Sequence, residues 1–253
     1  MMKIKFILSL IVLLLFPKVS LSQDLPDTID QLRKSIVAIG TTKGIKRPQL
    51  SFTGTGFVVG NGNQVITNLH VIPKEFDYTK NERLTVFTGS GNSAKGRVAV
   101  ILKSDTDHDL VLLKILGESL PAVKLDVSSN LREGTEVAFT GFPIGMVLGL
   151  FPVTHKGIIS AKSPIVIPAH SAKQLTAKMI KRMKTPFNVY QLDAIAYPGN
   201  SGSPVYQIDT GMVVGILNSV YVKGTKESAL TNPSGISYAI PVQYAQDLLN
   251  ILQ

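Results

Sequence analysis

The sequence has no cysteine in 253 residues. No disulfide can therefore hold the fold, and no cysteine-based zinc site can be built. Stability has to come from packing, for which a hydrophobic fraction of 44% supplies the material. Other signatures are missing as well. No glycine-rich loop ends in Lys-Ser or Lys-Thr to cradle a phosphate, no Cys/His spacing would bind zinc, and no nucleic-acid motif occurs. Charged residues make up only 17% of the chain, with a formal net charge of +9. The basic residues are scattered outside one short stretch, so the charge reads as solubility rather than as a polyanion-binding face.

Long apolar runs are scarce too. The one that stands out covers residues 6–16, follows Lys3 and Lys5, and leads to Ser20, Leu21 and Ser22. It is shorter than the roughly 20 residues a membrane helix requires. Lysines before it and small residues after it read as an export signal over 1–22. A retained anchor, extended as a tilted helix, is the alternative. Removing Lys3, Lys5 and Lys18 with the signal, and no acid, takes the charge from +9 to +6. The expected mature chain is 23–253, exported to the periplasm or beyond the cell. It would have no stable membrane insertion after cleavage and no nucleic-acid partner.

What is present gathers around Tyr197-Pro198-Gly199-Asn200-Ser201-Gly202-Ser203-Pro204-Val205. A serine between glycines, just before an apolar run, places a hydroxyl on a tight turn beside bare backbone N–H groups. A serine nucleophile needs that surface, because donors must face the oxyanion of the tetrahedral intermediate. An ordinary surface turn has the same pattern, so the base and its orienting acid decide. Upstream, residues 64–72 form a short strand running into His70. Residues 105–114 form an acidic loop, ending in Asp109, that enters an apolar strand. The chain order His, Asp, Ser is that of the chymotrypsin-fold enzymes.

The segments around His70, Asp109 and Ser201 resemble the three catalytic motifs of trypsin-like serine peptidases, most closely the bacterial HtrA/Deg type. Supporting matches are Gly54-Thr55-Gly56-Phe57-Val58-Val59, Lys156-Gly157-Ile158-Ile159-Ser160-Ala161 and Gly235-Ile236-Ser237-Tyr238-Ala239-Ile240-Pro241. Short β-rich runs with turn signals between them argue for an all-β barrel or sandwich. The resemblance sharpens this to two six-stranded antiparallel β-barrels, over about 34–120 and about 135–240, with a C-terminal helix at 242–252 and the site between the barrels. The helix follows from Val242, Ala245, Leu248, Leu249 and Leu252, which share one face. Before the first strand at 35–39 the chain reads as a short polar leader, and residues 41–51 read as a basic loop. HtrA-type proteins usually continue into a PDZ domain, and the sequence stops after the helix.

The resemblance implies that Ser201 attacks a peptide carbonyl, His70 acts as general base, and Asp109 fixes the imidazole tautomer. The N–H groups of Gly199 and Ser201 would form the oxyanion hole, and no cofactor or metal is required. Ile195 stands where trypsin-type enzymes carry the acid that selects Lys or Arg. The pocket candidates Ile195, Ala196, Tyr197, Ile216, Leu217 and Asn218 favour a small or medium aliphatic residue before the cut. Ser203 is typical of the glutamyl endopeptidase branch, which makes glutamyl specificity the runner-up; a catalytically silent binding protein is the non-enzyme reading. The expected partner is a protein or peptide substrate, and an oligomer is compatible with the sequence. His108, His155 and His170 read as surface histidines, and Asp105 and Asp107 as solvated or turn-forming acids. Asn200, the uncharged neighbour of Ser201, argues against activation by an N-terminal salt bridge. The loops at 146–152 and the basic stretch 173–184 are the candidates for regulation.

Overall fold

The computed structural model describes residues 24–44, 49–128, 131–143, 149–165, 186–218 and 236–250. They begin with helix α1 (Leu25–Leu32). The Asp24 carboxylate accepts the backbone N–H of Asp27 at 3.1 Å and caps it, and Pro26 sits in the first turn, where its missing N–H is harmless. Thr28 and Leu32 are buried, and the Thr28 hydroxyl donates to Ile208 O at 2.8 Å. The polar leader expected before the first strand is therefore a docked helix: cap, proline and buried stripe coincide within eight residues.

Six strands follow: β1 (Ile36–Lys43), β2 (Gln49–Val59), β3 (Gln64–Asn68), β4 (Arg83–Thr88), β5 (Lys95–Asp105) and β6 (Leu110–Ile115). They close into a barrel in the order β1-β2-β3-β6-β5-β4. A second set comprises β7 (Glu136–Gly141), β8 (Val153–Pro164), β9 (Asn188–Asp193), β10 (Pro204–Gln207), β11 (Val213–Asn218) and β12 (Ile236–Pro241). It closes as β7-β8-β9-β12-β11-β10, the same order advanced by six strands. The pairings are antiparallel, as the sequence led us to expect. The expected loop over 41–51 is mostly strand, because Thr41 pairs with Ser51 and Lys43 with Gln49. Cross-strand pairing here overrides the local Gly and Pro content.

The apolar residues divide into three layers. Val37, Ile39, Val58, Val65, Val111 and Leu113 fill the first barrel, and Phe139, Ile159, Leu192, Val205 and Leu217 fill the second. Between the barrels lies a shared layer in which Phe57, Ile66, Leu110 and Leu112 meet Ala138, Phe142, Tyr206 and Ile216. Strand β6 is thus buried on both faces, which is why it reads as an unbroken apolar run rather than an alternating one. Helix α2 (Gln243–Asn250) closes this layer with Ala245, Leu248 and Leu249 and packs on β5, β6 and β12. No helix among the described residues is long and apolar enough to cross a membrane.

Candidate active site

Strand β3 ends at Asn68, and a single 3-10 turn (Leu69–Val71) carries His70. Val71 anchors that turn in the first-barrel core, so the imidazole stands on a fixed base. Asp109 arrives from the β5–β6 loop. There the Asp105 carboxylate accepts the N–H groups of Asp107 (2.9 Å) and His108 (3.0 Å), tightening the turn. Asp109 then adopts φ 57°, a left-handed conformation that Asp tolerates better than most residues. Its carbonyl accepts from Leu69 N (2.9 Å) and Asn68 Nδ2 (3.2 Å). Its Oδ1 accepts from His70 N (3.1 Å), and its Oδ2 lies 2.6 Å from His70 Nδ1. From the second barrel, Asn218 donates Nδ2 to the same Oδ2 at 3.0 Å.

Ser201 sits on the turn that leads into β10. Asn200 N–H donates to Tyr197 O at 3.0 Å, with Pro198 in the second position and Gly199 at φ 99° in the third. That combination is the signature of a type II turn, which demands positive φ where Gly199 stands. Gly202 also has positive φ (87°), and a Cβ there would run into Thr55 O and Thr67 Oγ1. The turn is thus pressed against β2 and β3. Gly202 N donates to Leu217 O at 2.9 Å, tying the other side to the second barrel. A Cβ on Gly54 would meet Val71 on one side and Ser201 O, at 3.0 Å, on the other. The turns bearing Ser201 and His70 therefore flank one glycine, and Asp109 is buried behind them.

Residues 54–216 match the family described as the trypsin-like peptidase domain. The chain belongs to that family. It is 30% identical over 201 residues to a probable periplasmic serine endoprotease DegP-like of Hahella chejuensis, covering 79% of this chain and 35% of that protein. It is 32% identical over 205 residues to the protein of the same description from a Marinomonas species, covering 81% and 36%. The chain spans about a third of the length of these curated relatives. Among solved structures, the HtrA-type protease AlgW with a tripeptide superposes with a TM-score of 0.62 at 23% identity, over 90% of this chain and 62% of that one. This last similarity bears on the fold.

Within this peptidase domain the pocket candidates separate. Ile195 is 38% exposed, and Ala196 packs against the second-barrel core. Tyr197 is half-buried beside His155, with ring centroids 5.9 Å apart. Ile216 and Leu217 are fully buried, in the shared layer and the second-barrel core respectively, and present no surface to a substrate. Asn218, half-buried at the end of β11, is the member of that group that meets Asp109. Ser203 is likewise fully buried at the start of β10, so its hydroxyl does not face a substrate side chain. Gly141 crowds it from β7.

Two of the three other histidines are half-buried in aromatic contacts rather than free on the surface. His108 places Nδ1 2.6 Å from Asp105 Oδ2, stacks on Tyr244 at 3.7 Å and meets Phe187 edge-on at 4.6 Å. The loop that carries Asp109 is thereby pinned to α2 and to the entry of β9. His155 stacks on Phe139 at 4.9 Å, and its Nε2 is buried without a hydrogen-bond partner. Burial pushes its pKa below the ordinary histidine value. Local sequence gives no hint of either, since the aromatic partners come from other elements: β7 for His155, and α2 and the entry of β9 for His108. His170, the basic stretch 173–184 and residues 146–148 of the expected mobile loop lie outside the described residues. Among the described residues no cluster of His, Asp and Glu could hold a metal ion.

Proposed function

We propose that this chain is an exported serine endopeptidase in which Ser201, His70 and Asp109 form the catalytic triad. The observation that carries the reading is the Asp109 carboxylate, which meets the imidazole of His70 at 2.6 Å and the amide of Asn218 at 3.0 Å. It sits between the barrels, next to the turn of Ser201. The carboxylate can only accept, so the Nδ1 of His70 carries the hydrogen and Nε2 is left as the base. Ser201 Oγ attacks the carbonyl while Nε2 takes its proton and later delivers it to the leaving amine. The N–H groups of Gly199 and Ser201 receive the oxyanion, each worth about 3–4 kcal/mol in such sites.

The substrate is a polypeptide, cut after a small or medium apolar residue. Ile195 and Ala196 support this preference, and an extra methylene in such a pocket is worth only about 1 kcal/mol, so selection is broad. The periplasmic descriptions of the relatives support export, with residues 1–22 as the signal. A fluorophosphonate probe tests the reading directly. Purified protein should be labelled at Ser201, and Ser201→Ala should lose both labelling and peptide cleavage while keeping its far-UV spectrum. Cleavage by Ser201→Ala at the wild-type rate would end the assignment.

A further inference from the structure

The base and the nucleophile stand on different barrels, and one buried residue touches both sides of that division. Thr55, on β2, is fully buried. Its N–H donates to Ser201 O at 2.9 Å, and its hydroxyl donates to Gly199 O at 2.8 Å. The same hydroxyl accepts the N–H of Phe142, which follows β7, at 2.9 Å. Its carbonyl accepts from Thr67 Oγ1 at 2.6 Å, and Thr67 lies on β3 three residues before His70. Two carbonyls of the nucleophile turn are therefore tethered to the strand pair that carries the base.

The two tethers differ in chemistry. The bond to Ser201 O uses the backbone and survives any substitution short of proline. The bonds to Gly199 O and Phe142 N need a hydroxyl that can donate and accept at once. Another tether of the turn, Gly202 N to Leu217 O at 2.9 Å, runs within the second barrel and does not fix the turn against the first. Asn200 is fully buried with neither amide atom hydrogen-bonded, and the Ser203 hydroxyl is buried and unpartnered. Gly199 O belongs to the peptide whose N–H, on Asn200, closes the type II turn. Holding that oxygen fixes the turn against the first barrel.

Resting on the serine-peptidase reading above, we infer that Thr55 is a positioning residue. Its hydroxyl sets the distance and orientation between the oxyanion-hole turn and the His70–Asp109 pair. It touches no substrate, so its loss acts on turnover rather than on substrate binding.

The test compares Thr55→Val, which keeps the shape and removes the hydroxyl, with Thr55→Ser, which restores the hydroxyl alone. Thr41→Val is the control: it deletes a buried hydroxyl bonded to Glu82 in the first barrel, away from the site. Each kcat is scaled to active sites counted by fluorophosphonate titration. Thr55→Val should lose roughly 10- to 100-fold in kcat, the effect of a displacement of about 1 Å or less, with KM within a factor of two or so. Thr55→Ser should stay within about threefold of wild type, as should Thr41→Val. Should Thr55→Val not fold, Thr55→Ala is read in the same way. Wild-type kcat in the hydroxyl-deleted variant, an equal loss in Thr55→Ser, or an equal loss in Thr41→Val overturns the inference. A wild-type protein that neither cleaves peptides nor reacts with the probe instead overturns the peptidase reading on which it rests.

Discussion

Asp109 holds His70 twice, through the backbone N–H to Oδ1 at 3.1 Å and through ring Nδ1 to Oδ2 at 2.6 Å. The first bond fixes where the residue sits, and the second fixes which ring nitrogen carries the hydrogen. Asp109→Asn keeps the first interaction and reverses the second, because an amide nitrogen facing Nδ1 cannot accept. Turnover of a peptide substrate should fall by about 10⁴, with little change in the melting temperature. Asp105→Asn is the matched control, and its partner is His108 rather than His70. Its turnover should remain within a few-fold of wild type, and a large loss there would move the catalytic acid to Asp105.

Asn218 supplies the donor that reaches Asp109 from the second barrel. Asn218→Ala removes one hydrogen bond to a carboxylate, worth about 1.5–3 kcal/mol. Steady-state kinetics should show a fall in kcat of roughly 10- to 100-fold, with Ser201 still open to phosphonylation. An unchanged kcat would mean that the pair needs no support from the second barrel.

Gly202→Ala combines positive φ with a collision against backbone, since Thr55 O cannot step aside as a side chain could. The left-handed strain alone is about 1–2 kcal/mol, and the displaced turn adds to it. The variant should lose peptide cleavage and unfold at lower denaturant concentration than wild type. Retention of both properties would show that the turn is looser than its contacts indicate.

His155 gives a pH dependence. Burial pushes its pKa below the ordinary 6.5, so the unfolded chain takes up this proton at a higher pH than the folded one. The neutral ring therefore stabilises the fold fully above about pH 6.5, and this contribution is lost as pH falls through the lower folded value. Thermal unfolding between pH 7 and 5 should show a steeper decline for wild type than for His155→Phe, which keeps the stack on Phe139 and cannot titrate. Parallel curves would mean that His155 is charged or solvated in the folded state.

The parts of this protein that were legible in its sequence are those whose chemistry is written locally. Gly199, Ser201 and Gly202 announce a tight turn, and the apolar run from Leu110 places Asp109 at a strand entrance. The choice between Asp109 and Asp105 is instructive: each lies 2.6 Å from a histidine Nδ1, so pairing distance alone would not separate them. Position before a strand buried on both faces is what favours Asp109. The illegible parts depend on pairing across distance. Helix α1 needed the second barrel to hold Thr28, and the length of β2 needed β1. The burial of Ile216 and Leu217 followed from a shared layer that no window of sequence contains.

The two barrels repeat one strand order, yet the His70–Asp109 pair lies wholly in the first and Ser201 wholly in the second. In a chain made from its N-terminus, the first barrel with its His70–Asp109 pair precedes Ser201. Ser201 follows some ninety residues after Asp109 and is seated on Thr55 of the first barrel. On the proposed triad, the first barrel by itself would hold no nucleophile, and hydrolysis would require both halves to have come together.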